Sequence, residues 1–266
     1  MFNWAQRQLS NAVGTAEPIY GPNAIQPVTK QDVAYTELKK EDLKWKAMTT
    51  TSVETASFYL MSDSGKIGLA QVIYSNVKGI KTTCQFSAKI CYQDGGKTPH
   101  LWTSDSLEHY KFDADKYNFK ADGCSLELSE DGSYYTIKST VNKKCVVDLK
   151  VVRAAPGFVA GKNGTSYFGE NPKEPWGSIR HAFWPRCNVQ GSFMTQAGEV
   201  DMTGRGMYVF ALQGMQPHHA AARWNFVNFQ SPTYSAVMME FTTPPSYGST
   251  VVNVGGIVTD NKIVMA

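Results

Sequence analysis

The sequence contains no apolar run that approaches the ~18 residues of a transmembrane helix. Its N-terminus lacks the basic start and apolar centre of a signal peptide, and Arg7 is the only basic residue before Lys30, whereas mitochondrial presequences are rich in arginine. Lysine and arginine are scattered and the formal net charge is only +3, so no nucleic-acid partner is indicated. We therefore expect a cytoplasmic protein.

Motifs that carry chemistry are also missing. The five cysteines have no CxxC spacing, and their odd number rules out a complete disulfide framework, so we expect buried, reduced thiols. The five histidines show neither zinc spacing nor an HExxH context, and the chain has no GxSxG elbow and no P-loop. No catalytic residue, metal site or cofactor is therefore predicted.

The chain is instead dominated by hydrophobic alternation with a period of two, which begins at about Val53 and is typical of half-buried strands. It is clearest over residues 84–92, 135–141 and 145–151, and turn signals rich in Asp and Gly separate the runs. Strands joined by short turns predict an antiparallel meander that closes into a barrel or packs as a sandwich. An irregular loop is expected over 155–176, and further strands at 179–193, 207–212, 225–229, 236–242 and 251–258.

Residues 1–16 form an amphipathic pattern when they are placed at 100° per residue. The polar face carries a single charge, Arg7, which favours membrane binding by apolar insertion over attraction to anionic lipid. A helix docked on its own domain, or a frayed end, remains an alternative. The residues expected to bind the membrane are Phe2, Trp4, Leu9 and Val13.

Residues 17–46 are interpreted as a linker because they begin with a stretch rich in Pro, Gly and Asn. The polar segment 36–46 is expected to form one or two helical turns before the β region.

Two segments, 174–186 and 213–241, are dense in aromatic rings and methionines mixed with a few Arg, His and Gln. Such a mixture suits a pocket for a long apolar ligand with a polar head, although ordinary core packing explains any single residue equally well. The candidate lipid-binding residues are Trp176, Phe183, Trp184, His218, His219 and Trp224.

The opening residues 1–28, the stretch 53–77 and the motifs EPWGSIRHAFWPR and QGMQPHHAAARWNFVNFQSPTYSAVMMEFTTP resemble the fungal survival factor family. The resemblance implies a mainly β chain: an antiparallel lipocalin-like barrel behind a short N-terminal amphipathic helix. It places an N-terminal lipocalin-like domain at 47–217 and the start of a truncated second lipocalin-like domain at 218–266. The chain is accordingly expected to be a fragment, or to lack most of that second half.

The resemblance also implies a function. Members are ceramide-binding proteins, so the expected ligand is ceramide or a related sphingolipid held in an apolar β-barrel pocket. The expected role is non-vesicular transfer of ceramide from the endoplasmic reticulum to the Golgi, with survival under oxidative stress. The expected location is cytoplasmic and peripheral on Golgi and ER membranes, with the nucleus left open as a second location.

Two other classes of function stay open at this point. The first is a lipocalin-like enzyme of the hydratase or cyclase type, in which His181, His218 or His219 would act as acid or base on an apolar substrate. The second is a ligand-free, stress-related interaction protein. The carrier hypothesis is preferred because ceramide is uncharged and the sequence shows no conspicuous charged site.

Overall fold

The computed structural model describes residues 19–266. The expected membrane helix, with Phe2, Trp4, Leu9 and Val13, lies outside the described residues. Within the described part, no helix has the length and hydrophobicity required to cross a bilayer.

Strands make up most of the described chain, as the alternation predicted. One short helix, α1 (Pro217–Ala220), and four 3-10 turns accompany them. The strands are β1 (Ile25–Gln26), β2 (Tyr35–Glu37), β3 (Ser52–Ser62), β4 (Ile67–Val77), β5 (Lys81–Cys91), β6 (Leu101–Ser106), β7 (Lys111–Phe112), β8 (Phe119–Ala121), β9 (Cys124–Leu128), β10 (Tyr134–Asn142), β11 (Cys145–Arg153), β12 (Phe158–Ala160), β13 (Thr165–Phe168), β14 (Gly177–Thr195), β15 (Gly198–Asp201), β16 (Gly204–Gln213), β17 (Arg223–Gln230), β18 (Ser235–Thr242), β19 (Val251–Val258) and β20 (Ile263–Met265).

The larger sheet has the order β6-β5-β4-β3-β16-β14-β11-β10-β9-β8-β7, and its strand pairs are antiparallel. It curls until β6 approaches β10, where the Asn142 side-chain amide donates to both carboxylate oxygens of Asp105 at 3.0 Å. The predicted fold class, a mainly β, antiparallel, lipocalin-like architecture, is therefore confirmed.

Large side chains fill the interior of this curled sheet. The hydroxyl groups of Tyr135 and Tyr208 lie 3.3 Å apart, and both rings are fully buried. Trp45 packs across one end, with its ring 5.7 Å from that of Phe210. Burial of this apolar surface is the main favourable contribution to folding. The largest buried side chains of this core are Trp45, Phe58, Phe119, Tyr135, Trp184, Phe193, Tyr208 and Phe210.

A second sheet, with the order β17-β18-β19-β20, packs against the outside of the barrel. Its inner face contributes Val237, Phe241 and Val252 to a second core, which also contains Phe183 and Val209 from the outer face of β14 and β16. The barrel wall formed by β14 and β16 is therefore buried on both faces.

A β-bulge in the 19-residue strand β14 turns one side chain toward the second sheet. Trp184 pairs with Tyr208 and Cys187 pairs with Gly206, so Pro185 and Arg186 together oppose a single residue of β16. The extra residue lets both Trp184 and Cys187 face the barrel interior while Arg186 faces outward.

Arg186 is buried and holds the second sheet in place. Its Nη1 donates to the Ser231 carbonyl at 2.9 Å and to Ser235 Oγ at 3.0 Å, and its Nη2 donates to the Pro232 carbonyl at 2.7 Å. Its Nε donates to the carboxylate of Asp260. These bonds satisfy the buried charge, so the guanidinium joins the barrel wall to the second sheet.

The described part of 17–46, the segment expected to be a linker, contributes buried side chains to both cores. Ile25 and Val28 belong to the second core, and Leu43 and Trp45 belong to the barrel core. The expected helical turns reduce to one 3-10 turn at Lys40–Leu43. A composition rich in Pro and Gly predicts irregular backbone, but it does not show whether the side chains in between are buried.

The expected loop over 155–176 is also partly wrong, because it contains β12 and β13. These strands pair with β14, and Phe158 and Phe168 enter the second core. The later strand predictions agree with the structure to within a few residues, and 251–258 coincides with β19. All five cysteines are free, and four of them, Cys84, Cys124, Cys145 and Cys187, are buried.

We expect the substitution Arg186→Met to lower the free energy of unfolding by about 2–4 kcal/mol, because it removes all the hydrogen bonds that the buried guanidinium makes. Arg186→Lys should lose less, since it keeps the charge but has fewer donors. Denaturant unfolding measures both. Lys162→Met is the control: it removes an exposed pair with Asp32 at 2.8 Å and should cost at most about 1 kcal/mol. Equal losses for Arg186→Met and the control would contradict this role.

Candidate functional site

Two clefts lie beside the second sheet, on the outer face of the barrel wall. The first, the inter-sheet cleft, has a volume of about 370 Å³ and is enclosed by β3, β4, β14 and β16 on one side and β17 and β18 on the other. The outward-facing residues of the barrel strands supply one wall, and the inward-facing residues of the second sheet supply the other. Its main lining side chains are Tyr59, Gln71, His181, Trp224, Phe226 and Met239.

Aromatic contacts bridge the two walls of the inter-sheet cleft. The ring of Tyr59 on β3 lies 4.7 Å from that of Phe226 on β17. The His181 ring lies 5.9 Å from Trp224 in an edge-on arrangement, and Trp224 lies 5.4 Å from Phe241. Such contacts stabilise the wall-to-wall spacing beyond simple burial.

His181 is the buried titratable group of this cleft. Burial lowers the pKa of His181 to about 4, and the charge of neighbouring Arg180 adds to the effect. The imidazole is therefore neutral at physiological pH, with one donor and one acceptor nitrogen. Within residues 19–266, the structure gives those nitrogens no hydrogen-bond partner, so they are available to a polar group in the cleft.

The second cleft, the aromatic cleft, has a volume of about 690 Å³. Tyr20 stacks between Trp176 and Tyr247, at 4.7 and 5.2 Å, and Trp176 Nε1 donates to the Tyr247 hydroxyl at 3.1 Å. Met48 and Met215 line the same space, and methionine adapts well to irregular apolar ligands.

The two clefts adjoin along the barrel wall. Thr51, Ser178 and Gly214 line the aromatic cleft, while Val53, Ile179 and Gln213 line the inter-sheet cleft on the same three chain segments. Among residues 19–266, no Asp, Glu, Lys or Arg lines either cleft. Volumes of several hundred Å³, apolar walls and a few uncharged polar groups are typical of small-molecule sites.

The residues predicted from the sequence are divided between the two clefts, α1 and the two cores. Trp176 and His219 line the aromatic cleft, and Trp224 lines the inter-sheet cleft. His218 precedes His219 on α1, and the rings of the two residues are 3.9 Å apart. Phe183 and Trp184 line neither cleft: Phe183 lies in the second core and Trp184 in the barrel core.

The sequence patterns did not indicate the wall contributed by β3 and β4, including Tyr59 and Gln71. The sequence did carry a signal for this wall. The outward-facing positions of β3 are occupied by Val53, Thr55 and Tyr59, and these side chains are only partly exposed. A strand whose two faces both carry bulky or apolar residues indicates that something covers its outer face. Within the described range 19–266, no group of three or more His, Cys, Asp and Glu side chains could hold a metal ion.

These observations define a class: a lipocalin-like β protein with uncharged clefts between a barrel wall and a second sheet. The sequence matches the Svf1 family over residues 2–266. The chain belongs to the Svf1 family, and the resemblance found in its motifs is confirmed.

Curated relatives agree over the same span. The chain is 58% identical over 267 residues to the ceramide-binding protein svf1 of Emericella nidulans, covering 99% of this chain and 70% of the relative. It is 58% identical over 268 residues to ceramide-binding protein svf-1 of Neurospora crassa, covering 100% of this chain and 70% of that protein. The relative from Schizosaccharomyces pombe is 41% identical, with 99% and 70% coverage.

Solved structures support the fold. Kievitone hydratase from Nectria haematococca has a TM-score of 0.57 at 12% identity, covering 93% of this chain and 73% of that one. CghA has a TM-score of 0.58 at 14% identity, covering 80% of this chain and 59% of that one. At such low identity the likeness concerns architecture alone.

The lowered pKa of His181 predicts an acid-dependent loss of stability. The pKa is about 4 in the folded state and ~6.5 in the unfolded state, so between these values the unfolded state binds more protons and stability falls as the pH falls. From pH 7 to pH 4.5, wild type should lose about 2–3 kcal/mol more than His181→Gln. Denaturant unfolding at both pH values measures this. His218→Gln is the control, and a wild-type-like loss in His181→Gln would refute the assignment.

Proposed function

We propose that this protein is a carrier of an uncharged, long-chain lipid of the ceramide class, and that the lipid lies in the two adjoining clefts outside the barrel. The observation that carries the proposal is the inter-sheet cleft, which is apolar, uncharged and lined by a buried neutral imidazole. The names of relatives at 58% identity support ceramide as the ligand.

The chemistry of the clefts suits such a ligand. A ceramide has no net charge, so it needs no counter-ion, and the part of the chain that the structure describes places no charged side chain in the lining of either cleft. Its amide and hydroxyl groups require neutral donors and acceptors, which His181, Gln71 and Gln213 supply in the inter-sheet cleft. Its chains require apolar walls, which Trp224, Phe226 and the aromatic cleft supply. The interior of the barrel, by contrast, is occupied by side chains.

We extend the proposal to the membrane. Residues 1–16 would attach the protein to the cytoplasmic face of Golgi and ER membranes, and the carrier would move ceramide between them without vesicles. A role in survival under oxidative stress is part of the same proposal.

A second candidate function rests on His181, because a neutral base in an apolar cleft can transfer a proton. Against it, the structure within residues 19–266 gives the imidazole no carboxylate to orient it, so we propose binding without catalysis. Conversion of a bound lipid that stops in His181→Gln would favour the enzyme instead.

Filling the inter-sheet cleft should abolish lipid binding. Ala211 lines this cleft on β16, so Ala211→Trp places an indole where the ligand would lie. We expect the affinity for a short-chain fluorescent ceramide to fall by about tenfold or more, measured by titration. The control is Lys138→Trp, which adds the same ring on an exposed part of β10 that lines neither cleft. Unchanged binding in a folded Ala211→Trp protein would refute this location.

Membrane attachment should depend on apolar insertion. Leu9→Asp places a charge in the apolar arc and should reduce flotation with phosphatidylcholine vesicles by about tenfold, whereas Arg7→Glu should change it by about twofold or less. The prediction that Leu9 matters more than Arg7 would be wrong if Arg7→Glu abolished membrane attachment and Leu9→Asp left it intact.

A further inference from the structure

We propose that the hairpin between β4 and β5 is a second membrane-contacting surface, beside the mouth of the aromatic cleft, whose partner is a bilayer. This hairpin tip is defined as residues 77–81. The inference rests on the proposed function, since a membrane contact at this place would let a lipid pass between the bilayer and the cleft.

The tip exposes bulky apolar side chains. Ile80 is 87% exposed and Val77 is 54% exposed. Lys78 and Gly79 both have positive φ, at 54° and 71°, and the Ile80 N–H donates to the Val77 carbonyl at 3.0 Å. This is a type I′ geometry, which constrains the two central residues and makes no demand for an apolar residue after them. Turn formation therefore does not explain why an exposed isoleucine stands at position 80.

The tip is held firmly to the segment before β3. The Lys78 N–H donates to Thr51 Oγ1 at 3.0 Å, and the Gly79 N–H donates to Asn76 Oδ1 at 2.8 Å. The buried Asn76 amide donates in turn to the Met48 carbonyl at 2.8 Å. The apolar tip is thus fixed in position relative to residues 48–51.

Residues 48–51 form one wall of the aromatic cleft, which places the tip at its mouth. Met48, Thr50 and Thr51 line that cleft. The opposite wall contains Tyr20 and Trp176, and Trp176 remains 45% exposed.

The opposite wall also leads directly to the N-terminal segment. Tyr20 is anchored there by its N–H, which donates to the Ser246 carbonyl at 2.9 Å. The preceding residue, Ile19, is 87% exposed and follows the segment expected to bind membranes. Exposed apolar side chains therefore flank the cleft mouth on both sides. An isolated exposed apolar side chain is ordinary on a protein surface, but a grouped set marks an interaction site.

The charge of this region fits a membrane surface. The tip contributes Lys78 and Lys81, and the adjoining segment contributes Lys46. Residues 46–53 and 76–84 contain no Asp or Glu. The next acidic residue after 53 is Glu54, which is buried. Lysines beside exposed apolar groups attract the anionic cytoplasmic leaflet while the apolar groups insert.

The test compares Ile80→Asp with Ile67→Asp in the full chain. Ile67 is the matched control, because it is also an exposed isoleucine but lies at the opposite end of β4, 40% exposed. With phosphatidylcholine vesicles containing about one fifth phosphatidylserine, Ile80→Asp should weaken partitioning by about tenfold and Ile67→Asp by about twofold or less. Partitioning of Ile80→Asp equal to that of wild type overturns the proposal.

A gain-of-binding variant guards against simple misfolding. Ile80→Trp should bind the same vesicles several-fold more tightly, since indole favours the membrane interface. Denaturant unfolding of Ile80→Trp that matches wild type shows that the tighter binding does not come from exposed core surface. A folded Ile80→Trp protein that binds no better than wild type would contradict membrane contact by the hairpin tip.

A measurement without vesicles separates this inference from the proposed function. Ile80→Asp should bind a short-chain fluorescent ceramide in solution as wild type does, because Ile80 lines neither cleft. If wild type itself binds no ceramide in solution, the proposed function fails, while the vesicle comparison still decides whether the tip contacts membranes. Loss of ceramide binding in Ile80→Asp would contradict the separation of tip and cleft.

Discussion

The burial of β14 and β16 on both faces is the constraint on which the rest of this structure depends. The inner face closes the barrel core through Trp184 and Phe210, and the outer face must be covered by something else. The second sheet supplies that cover, and Arg186 holds it there through hydrogen bonds to three residues around the β17–β18 turn and to Asp260. Removing that cover would expose Phe183 and Val209 to water.

The clefts exist because the second sheet covers the outer face of the barrel wall only in part. The second sheet contributes Phe241 and Val252 to the second core. It leaves the inter-sheet cleft where Tyr59 and His181 on the wall meet Phe226 and Trp224 on the sheet. A filled barrel beside an open inter-sheet space reverses the usual expectation for a lipocalin-like fold, in which the ligand lies inside the barrel. Here side chains fill the barrel, and the open space lies between its outer wall and the second sheet.

The sequence predicted strands well where one face is buried and the other is exposed to solvent, as in β10 and β11, because apolar and polar residues then alternate clearly. It revealed less for residues 179–187, which are all buried, so no alternation survives and Trp184 could not be assigned to a side. The interpretation of 17–46 as a linker did not anticipate that Ile25 and Trp45 are buried, because their contacts lie with residues far along the chain, which local composition does not report. The wall formed by Tyr59 was missed because the covering sheet is distant in sequence.

Photo-crosslinking with a diazirine-bearing ceramide, followed by peptide mass spectrometry, tests most directly whether the lipid lies outside the barrel. A ceramide in the inter-sheet cleft should label the lining residues Tyr59, Trp224, Phe226 and Met239. Labels concentrated on barrel-interior residues such as Phe58 and Ile137 would contradict this location of the lipid.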